Sequence, residues 1–305
     1  MTRLIASDLD GTFLQTGGTV SPENVAAIAR AHASGLETMF VTGRPSRWMR
    51  QIPDMTGHEG LALVCNGALL MDLKTQETIY ADLMTSDSGL KAARILQELD
   101  PDISFAVELD RHDVSFLVDD KYRPRWEVKT TPPATDVETM FGTEIVIKLL
   151  ARPSDRIQQN ADQFLIEAQG ALDGLVDVTH SNFLDLMIEM SALGVNKGTG
   201  LEKYATSKAL AAADIAAVGD MPNDVPMIAW AGRGAGQGNA GGLGPGAFGR
   251  RVARQAAGRA EGPANQRRVA AEPVGTEPDP RPARVDERPP SHAEGLGRRT
   301  VGRVF

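Results

Sequence analysis

The chain has 305 residues, a net charge of −8 and 42% apolar residues, enough for two domains and a sizeable core. The charge is uneven: residues 1–231 carry 19 basic and 33 acidic residues, whereas residues 232–305 carry 13 Arg, no Lys and 7 acidic residues. An acidic main body argues against nucleic acid as principal partner, and the lone Cys65 excludes an internal disulfide. With no basic-then-apolar leader and no apolar run near roughly 18 residues, the expectation is a cytoplasmic protein without a membrane partner.

In chain order, Leu4–Ser7 reads as a short buried strand that runs into Asp8-Leu9-Asp10-Gly11-Thr12. Ser21-Pro22 supplies a capping hydroxyl and a proline at the first helical position. Val25, Ile28 and Ala29 then share a helix face, and Gly35 closes the helix. Thr38–Thr42 is a second strand, Pro45 to about Met55 a helix carrying Trp48, Met49 and Ile52, and Leu61–Cys65 a third strand, with Cys65 a buried strand residue. This β-α-β-α-β order implies a parallel sheet with right-handed crossovers. Ala68–Met71 and Thr78–Ala81 follow as a hairpin.

From residue 84 to 187 the pattern changes. A helix spans about Asp87–Leu99 and another about Ser154–Gln169. Ser104–Leu109, Val114–Val118, Glu144–Leu149, Val176–Thr179 and Asp185–Glu189 read as strands. Helices grouped among hairpin-like strands indicate an α+β insert. Alternation resumes with a helix from Lys197 to about Ala213 and a strand at Ile215–Val218. The fold class is therefore α/β, a Rossmann-like core of residues 1–83 and 188–231 interrupted by an α+β domain at 84–187. Residues 232–305 hold 15 Gly and 8 Pro, a composition that does not build a core. Two readings fit this tail, a disordered extension and a frame-shifted end of a GC-rich gene. A basic nucleic-acid arm fits it less well, because its Arg residues are dispersed and not interleaved with aromatics.

Four segments carry chemistry, all at or near strand ends. Asp8 and Asp10 stand two residues apart, so in an extended chain they point to one face. Their mutual repulsion raises both pKa values, and a hard divalent cation such as Mg²⁺ relieves it. Ordinary turns and Ca²⁺ loops also contain Asp-x-Asp, but a Ca²⁺ loop needs more oxygen ligands and flanking helices. The second segment is Phe40-Val41-Thr42-Gly43-Arg44, the third Asn196-Lys197-Gly198 and the fourth Gly219-Asp220-Met221-Pro222-Asn223-Asp224. Each alone reads equally well as a helix cap or a solvated turn. Together, in this order, they converge on the carboxyl edge of one sheet, where open α/β sheets bind ligands.

With these four motifs, residues 1–231 resemble the haloacid dehalogenase superfamily of phosphotransferases, most closely its Cof-type sugar-phosphatase branch. The insert between the second and third motifs and the segment Val64-Cys65-Asn66-Gly67-Ala68 are similar to that branch. The resemblance implies a Mg²⁺-dependent phosphatase of small phosphorylated metabolites, sugar phosphates foremost, with the insert acting as a cap. It implies that Asp8 is the nucleophile forming an aspartyl-phosphate, and that Asp10 ligates Mg²⁺ through its carbonyl while its side chain serves as general acid and base. Thr42 and Lys197 would contact the phosphoryl group. Asp220 would ligate Mg²⁺, with Asp224 orienting it or a coordinated water, and Asn223 would lie near the transferred group. Gly43, Arg44 and Asn66 would contribute to substrate binding. A phosphomutase using the same intermediate and a non-catalytic phosphometabolite-binding protein are the competing readings. A glycosidase reading leaves Thr42 and Lys197 without a task. Polar clusters at Glu108–Asp113 and Asp119–Arg125 read equally as cap contacts or as solvated loops. After the fourth motif the sequence departs from the branch: Gly234 to Ala240 keeps an Asn-Ala pair but lacks an apolar strand.

Overall fold

The computed structural model describes residues 1–15, 17–111, 115–123, 135–142, 145–158, 161–180 and 187–236. Most of the tail, and the parts of the expected strands and polar clusters at 112–114, 124–125, 144 and 185–186, lie outside the described residues.

The first sheet has seven strands: β1 (Leu4–Ser7), β2 (Glu37–Val41), β3 (Leu61–Val64), β4 (Leu69–Asp72), β5 (Thr78–Ala81), β11 (Ile215–Gly219) and β12 (Arg233–Gly236). Their order is β12-β11-β1-β2-β3-β4-β5. The five strands from β12 to β3 run parallel, and β4 and β5 complete the antiparallel hairpin. Alternation along the strands serves two faces. Met39 and Val41 pack with Leu201 and Tyr204 of α7 (Lys197–Ser207) and with Met227 of α8 (Val225–Trp230). Phe40 and Val64 pack on the other face with Ile28 of α1 (Pro22–Ala33) and Ile52 of α2 (Ile52–Thr56).

The second sheet comprises β6 (Ser104–Leu109), β7 (Phe116–Val118), β8 (Val146–Arg152), β9 (Val176–Thr179) and β10 (Ile188–Ala192), in the order β7-β6-β8-β10-β9 and wholly antiparallel. One face is covered by α3 (Ser86–Leu99), α4 (Val137–Phe141) and α6 (Ala161–Ala171), with α5 (Asp155–Gln158) preceding α6. Phe105, Val107, Leu149, Ile188 and Met190 point into that helical layer. Glu108, Lys148 and Glu189 take the alternate positions and are nonetheless buried. A β-bulge at Ile147 shifts the β6–β8 register, and Ile147 joins the hydrophobic cluster of the first sheet.

The structure moves several expected boundaries. Ile188–Ala192 pairs with β8 and β9, so the insert extends to Ala192 and does not stop at 187. Arg233–Gly236 pairs in parallel with β11, so the core sheet reaches past 231 although all four residues are exposed. A backbone ladder needs no side chains, which is why a Gly-Ala segment can supply this edge. The single helix expected at Pro45–Met55 is a 3₁₀ turn, Ser46–Trp48, followed by α2, which has Pro53 in its first turn. Helix α7 ends at Ser207, before the left-handed residue Ala209, and not near Ala213. On α1 the buried residues are Ile28 and Ala31, while Ala29 faces solvent. Cys65 is buried, but it sits just past β3 with φ 51°.

The turn after β3 is tightly constrained. Gly67 has φ +92°, and a Cβ there would meet the Asn196 carbonyl oxygen at 2.6 Å. A Gly67→Ala variant therefore combines a left-handed backbone with a clash at the start of α7. We expect a loss of at least about 2 kcal/mol of stability, read from denaturant unfolding.

Candidate active site

Sheet register brings the motifs together. Ser7 of β1 partners Val218 of β11 on one side and Phe40 of β2 on the other. The chains leaving these strands therefore place Asp8, Asp220 and Thr42 at one carboxyl edge. The backbone N–H of Asp8 donates to the Val218 carbonyl at 2.9 Å, extending the ladder by one residue.

Lys197 is delivered by a well-defined helix start. The Asn196 side chain accepts from the N–H groups of Gly198 and Thr199, and the Thr199 hydroxyl accepts from the Asn196 N–H. Lys197 is 1% exposed, and its Nζ donates to Asp8 Oδ1 at 2.6 Å and to Asp224 Oδ1 at 2.5 Å. The other Asp224 oxygen accepts from the N–H groups of Asp220 and Met221, which closes the acidic loop. Asp220 accepts from the Thr12 hydroxyl at 3.1 Å. Gly11, at φ +80°, leaves the room this carboxylate needs, since a Cβ there would collide with it.

Asp8, Asp220 and Asp224 each offer a carboxylate oxygen within 4.8 Å of the others, and all three are buried. Burial pushes the Asp8 carboxyl up to about 7, against the pull of Lys197 and with added repulsion from Asp224 and Asp10. Burial also raises Asp220, although the Thr12 hydroxyl opposes it. Desolvation works against the Lys197 ammonium, but Asp224 and Asp8 outweigh it and hold its pKa above the ordinary range. Three crowded hard-oxygen donors, two of them bonded to one ammonium and the third to a hydroxyl, fit a divalent cation.

Asp8 also lines a cavity of about 410 Å³ together with Asp10, Thr42, Gly43, Arg44 and Asn223. Its size suits a small ligand (roughly 300–1,000 Å³ is usual). The Asp10 side chain stands outside the acidic cluster and is held by Arg44 through two bonds of 2.8 and 2.6 Å. The Thr42 hydroxyl accepts from the Arg44 N–H at 3.1 Å, which shapes the turn. Asn66, expected at the substrate, does not line this cavity. Its amide donates to Glu189 at 2.8 Å and accepts from Asn223 at 3.0 Å, and it borders a second cleft of about 190 Å³.

The far wall comes from the second sheet and was not assigned from the motifs. Glu108, Lys148, Leu150, Met187 and Glu189 line it, joined by Trp48 from the core. Arg47 donates to Glu108 at 2.7 Å, and Lys148 donates to Glu189 at 2.6 Å and to the Gly43 carbonyl at 2.8 Å. The available signal was a charge at alternate positions within the apolar runs VIKLLAR and IEMSA, a pattern of strands covered on both faces.

Burial pushes Glu108 up to about 7, although Arg47 and Lys148 favour its charged form. Between its ordinary value and about 7 the folded state holds a proton that the unfolded chain has released. Stability from this group is therefore lost as pH rises through that window. We expect the melting temperature of Glu108→Gln, relative to the wild type, to climb steadily from pH 4.5 to pH 7 in parallel thermal scans.

The chain matches the haloacid dehalogenase-like hydrolase family over residues 5–242. It is 26% identical over 254 residues to pyridoxal phosphate phosphatase YbhA of Escherichia coli strain K12, covering 78% of this chain and 89% of that protein. It is likewise 26% identical over 239 residues to 5-amino-6-(5-phospho-D-ribitylamino)uracil phosphatase YcsE of Bacillus subtilis strain 168, covering 78% and 84%. Among solved structures, the phosphatase BT1666 of Bacteroides thetaiotaomicron superposes with a TM-score of 0.62 at 22% identity, covering 85% of this chain and 95% of that one. No helix among the described residues is long and apolar enough to cross a membrane.

Proposed function

Because the chain belongs to the haloacid dehalogenase-like hydrolase family, we propose that it is a Mg²⁺-dependent phosphatase hydrolysing small phosphorylated metabolites, sugar phosphates foremost, through an aspartyl-phosphate on Asp8. The observation that carries this reading is the buried Asp8–Lys197–Asp224 chain of charges, with Asp8 facing the cavity. The substrates named for the two relatives, a pyridoxal phosphate and a phosphorylated ribitylaminouracil, fall in the same class of small phosphorylated metabolites.

A carboxylate of Asp8 attacks phosphorus, and the bond from phosphorus to the leaving oxygen breaks. Asp10 gives that oxygen a proton, then takes one from the water that hydrolyses the acyl phosphate. Before it can do so, Arg44 must release at least one Asp10 oxygen. A phosphoryl group beside Thr42 offers the guanidinium a competing anion of matching geometry. Lys197 remains beside Asp8 throughout and offsets negative charge on the phosphoryl oxygens. Asp8, Asp220 and the Asp10 carbonyl would hold Mg²⁺, with Asp224 orienting the set. The ion would supply positive charge that lets two anions meet. Asn223, which lines the cavity, would lie near the transferred group.

Hydrolysis of an aryl phosphate with Mg²⁺, then with chelator, then with Mg²⁺ restored tests the proposal. Phosphate release should stop with the chelator and resume with the metal. A folded, monodisperse protein that releases no phosphate in any of the three conditions would overturn it.

A further inference from the structure

We propose that the buried Lys148–Glu189 ion pair of the second sheet is a positioning pair, setting the Thr42–Arg44 turn through Gly43 and setting Asn223 through Asn66. The inference rests on the phosphatase reading, because it assigns these contacts to the phosphoryl site.

Lys148, Glu189 and Asn66 are all at most 3% exposed. One oxygen of Glu189 accepts from both Lys148 Nζ and Asn66 Nδ2, at 2.6 and 2.8 Å. Asn66 Oδ1 in turn accepts from Asn223 Nδ2 at 3.0 Å. A carboxylate only accepts and an ammonium only donates, so the pair imposes a direction on this relay. Asn66 must turn its amide nitrogen to Glu189 and its oxygen to Asn223. Asn223 must then turn its own nitrogen to Asn66. Its Oδ1, which has no hydrogen-bond partner among the described residues, is thereby left as an acceptor on a residue that lines the cavity with Asp8. The other end acts in parallel: Lys148 donates to the carbonyl of Gly43, between Thr42 and Arg44.

Asn66 also needs holding. It follows Cys65 in a second consecutive left-handed conformation, with φ 51° and 58°. Such backbone persists where surrounding contacts over-determine it. An ion pair serving stability alone would need no contact with the first sheet. This pair reaches the loops of two motifs, so the wall that covers the substrate also orients the groups beneath it.

A charge swap, Lys148→Glu with Glu189→Lys, separates the two roles. It keeps an ion pair but presents a donor to Asn66 and a carboxylate to the Gly43 carbonyl. We expect a folded protein whose kcat for an aryl phosphate falls about 100-fold, the scale of a misplaced catalytic geometry. Its inhibition constant for inorganic phosphate should rise at least tenfold, with a smaller change in KM. If the swap does not fold, the near-isosteric neutral pair Lys148→Met with Glu189→Gln should show the same losses in kcat and phosphate inhibition. A folded variant of either kind with wild-type kcat and phosphate inhibition would overturn the proposal. So would a neutral pair that cannot fold, which would mark the ion pair as a stability element. Calorimetric titration of the wild type with inorganic phosphate and Mg²⁺ distinguishes the premise. Binding without turnover would sink hydrolysis while leaving the relay testable by affinity, and no binding would sink both.

Discussion

Replacing Asp8 by Asn should reduce kcat by at least about 10⁴-fold, because the amide is a poor nucleophile and no neighbouring carboxylate occupies the same place at the cavity. The geometry supports a clean result. Asp8 is the member of the buried acidic cluster that lines the cavity, while Asp220 and Asp224 do not line it. Asn is nearly isosteric, and its oxygen can still accept from Lys197, which keeps Asp224 as a charged partner. The variant should therefore fold, and matched circular dichroism and thermal scans would check that. Residual turnover at a tenth of the wild-type rate in a verified Asp8→Asn preparation would move the nucleophile elsewhere.

The second large effect is expected at Lys197. Changing it to Met keeps the length of the side chain but leaves the buried Asp8 and Asp224 carboxylates facing each other without a cation. Breaking a buried pair in this way costs about 3–5 kcal/mol. Under the proposed mechanism, loss of this charge beside Asp8 should cost turnover a further factor of about 10²–10³. The two consequences separate experimentally. Excess Mg²⁺ can replace the missing positive charge among the carboxylates, so it should recover part of the lost melting temperature but not the turnover. A Lys197→Met protein as stable as the wild type in chelator would contradict the account of the cluster.

Much of the core was legible because its signals are local. Ser21-Pro22 starts α1 with its hydroxyl accepting from the Asn24 N–H, as a capping serine should. The strand-helix alternation implies the parallel sheet, and three strand-end motifs converge because register aligns Ser7 with both Val218 and Phe40, while Lys197 arrives on the first turn of α7. What stayed illegible was tertiary. Asn66 follows a strand like the other motif residues, but whether its amide meets substrate or Glu189 depends on a strand more than a hundred residues away. The bidentate Arg44–Asp10 pair likewise needs two loops in space. Lys148 and Glu189 were illegible for a different reason: each stands within a strand among apolar neighbours, where a charge does not read as part of a polar loop. Glu108 was visible only as one end of the polar cluster 108–113, with nothing to separate a cavity wall from a solvated loop. The edge strand β12 was missed because Arg-Gly-Ala-Gly carries no apolar signal and contributes backbone pairing alone.

The most direct measurement is covalent trapping. The wild-type protein would be mixed with an aryl phosphate and Mg²⁺, quenched rapidly in acid and digested, and the peptide containing Asp8 examined by mass spectrometry. One phosphoryl group is expected on Asp8, absent when chelator replaces Mg²⁺ and absent from Asp8→Asn. Phosphate release at full rate with the Asp8 peptide unmodified at every quench time, or a phosphoryl group found on another residue, would contradict it.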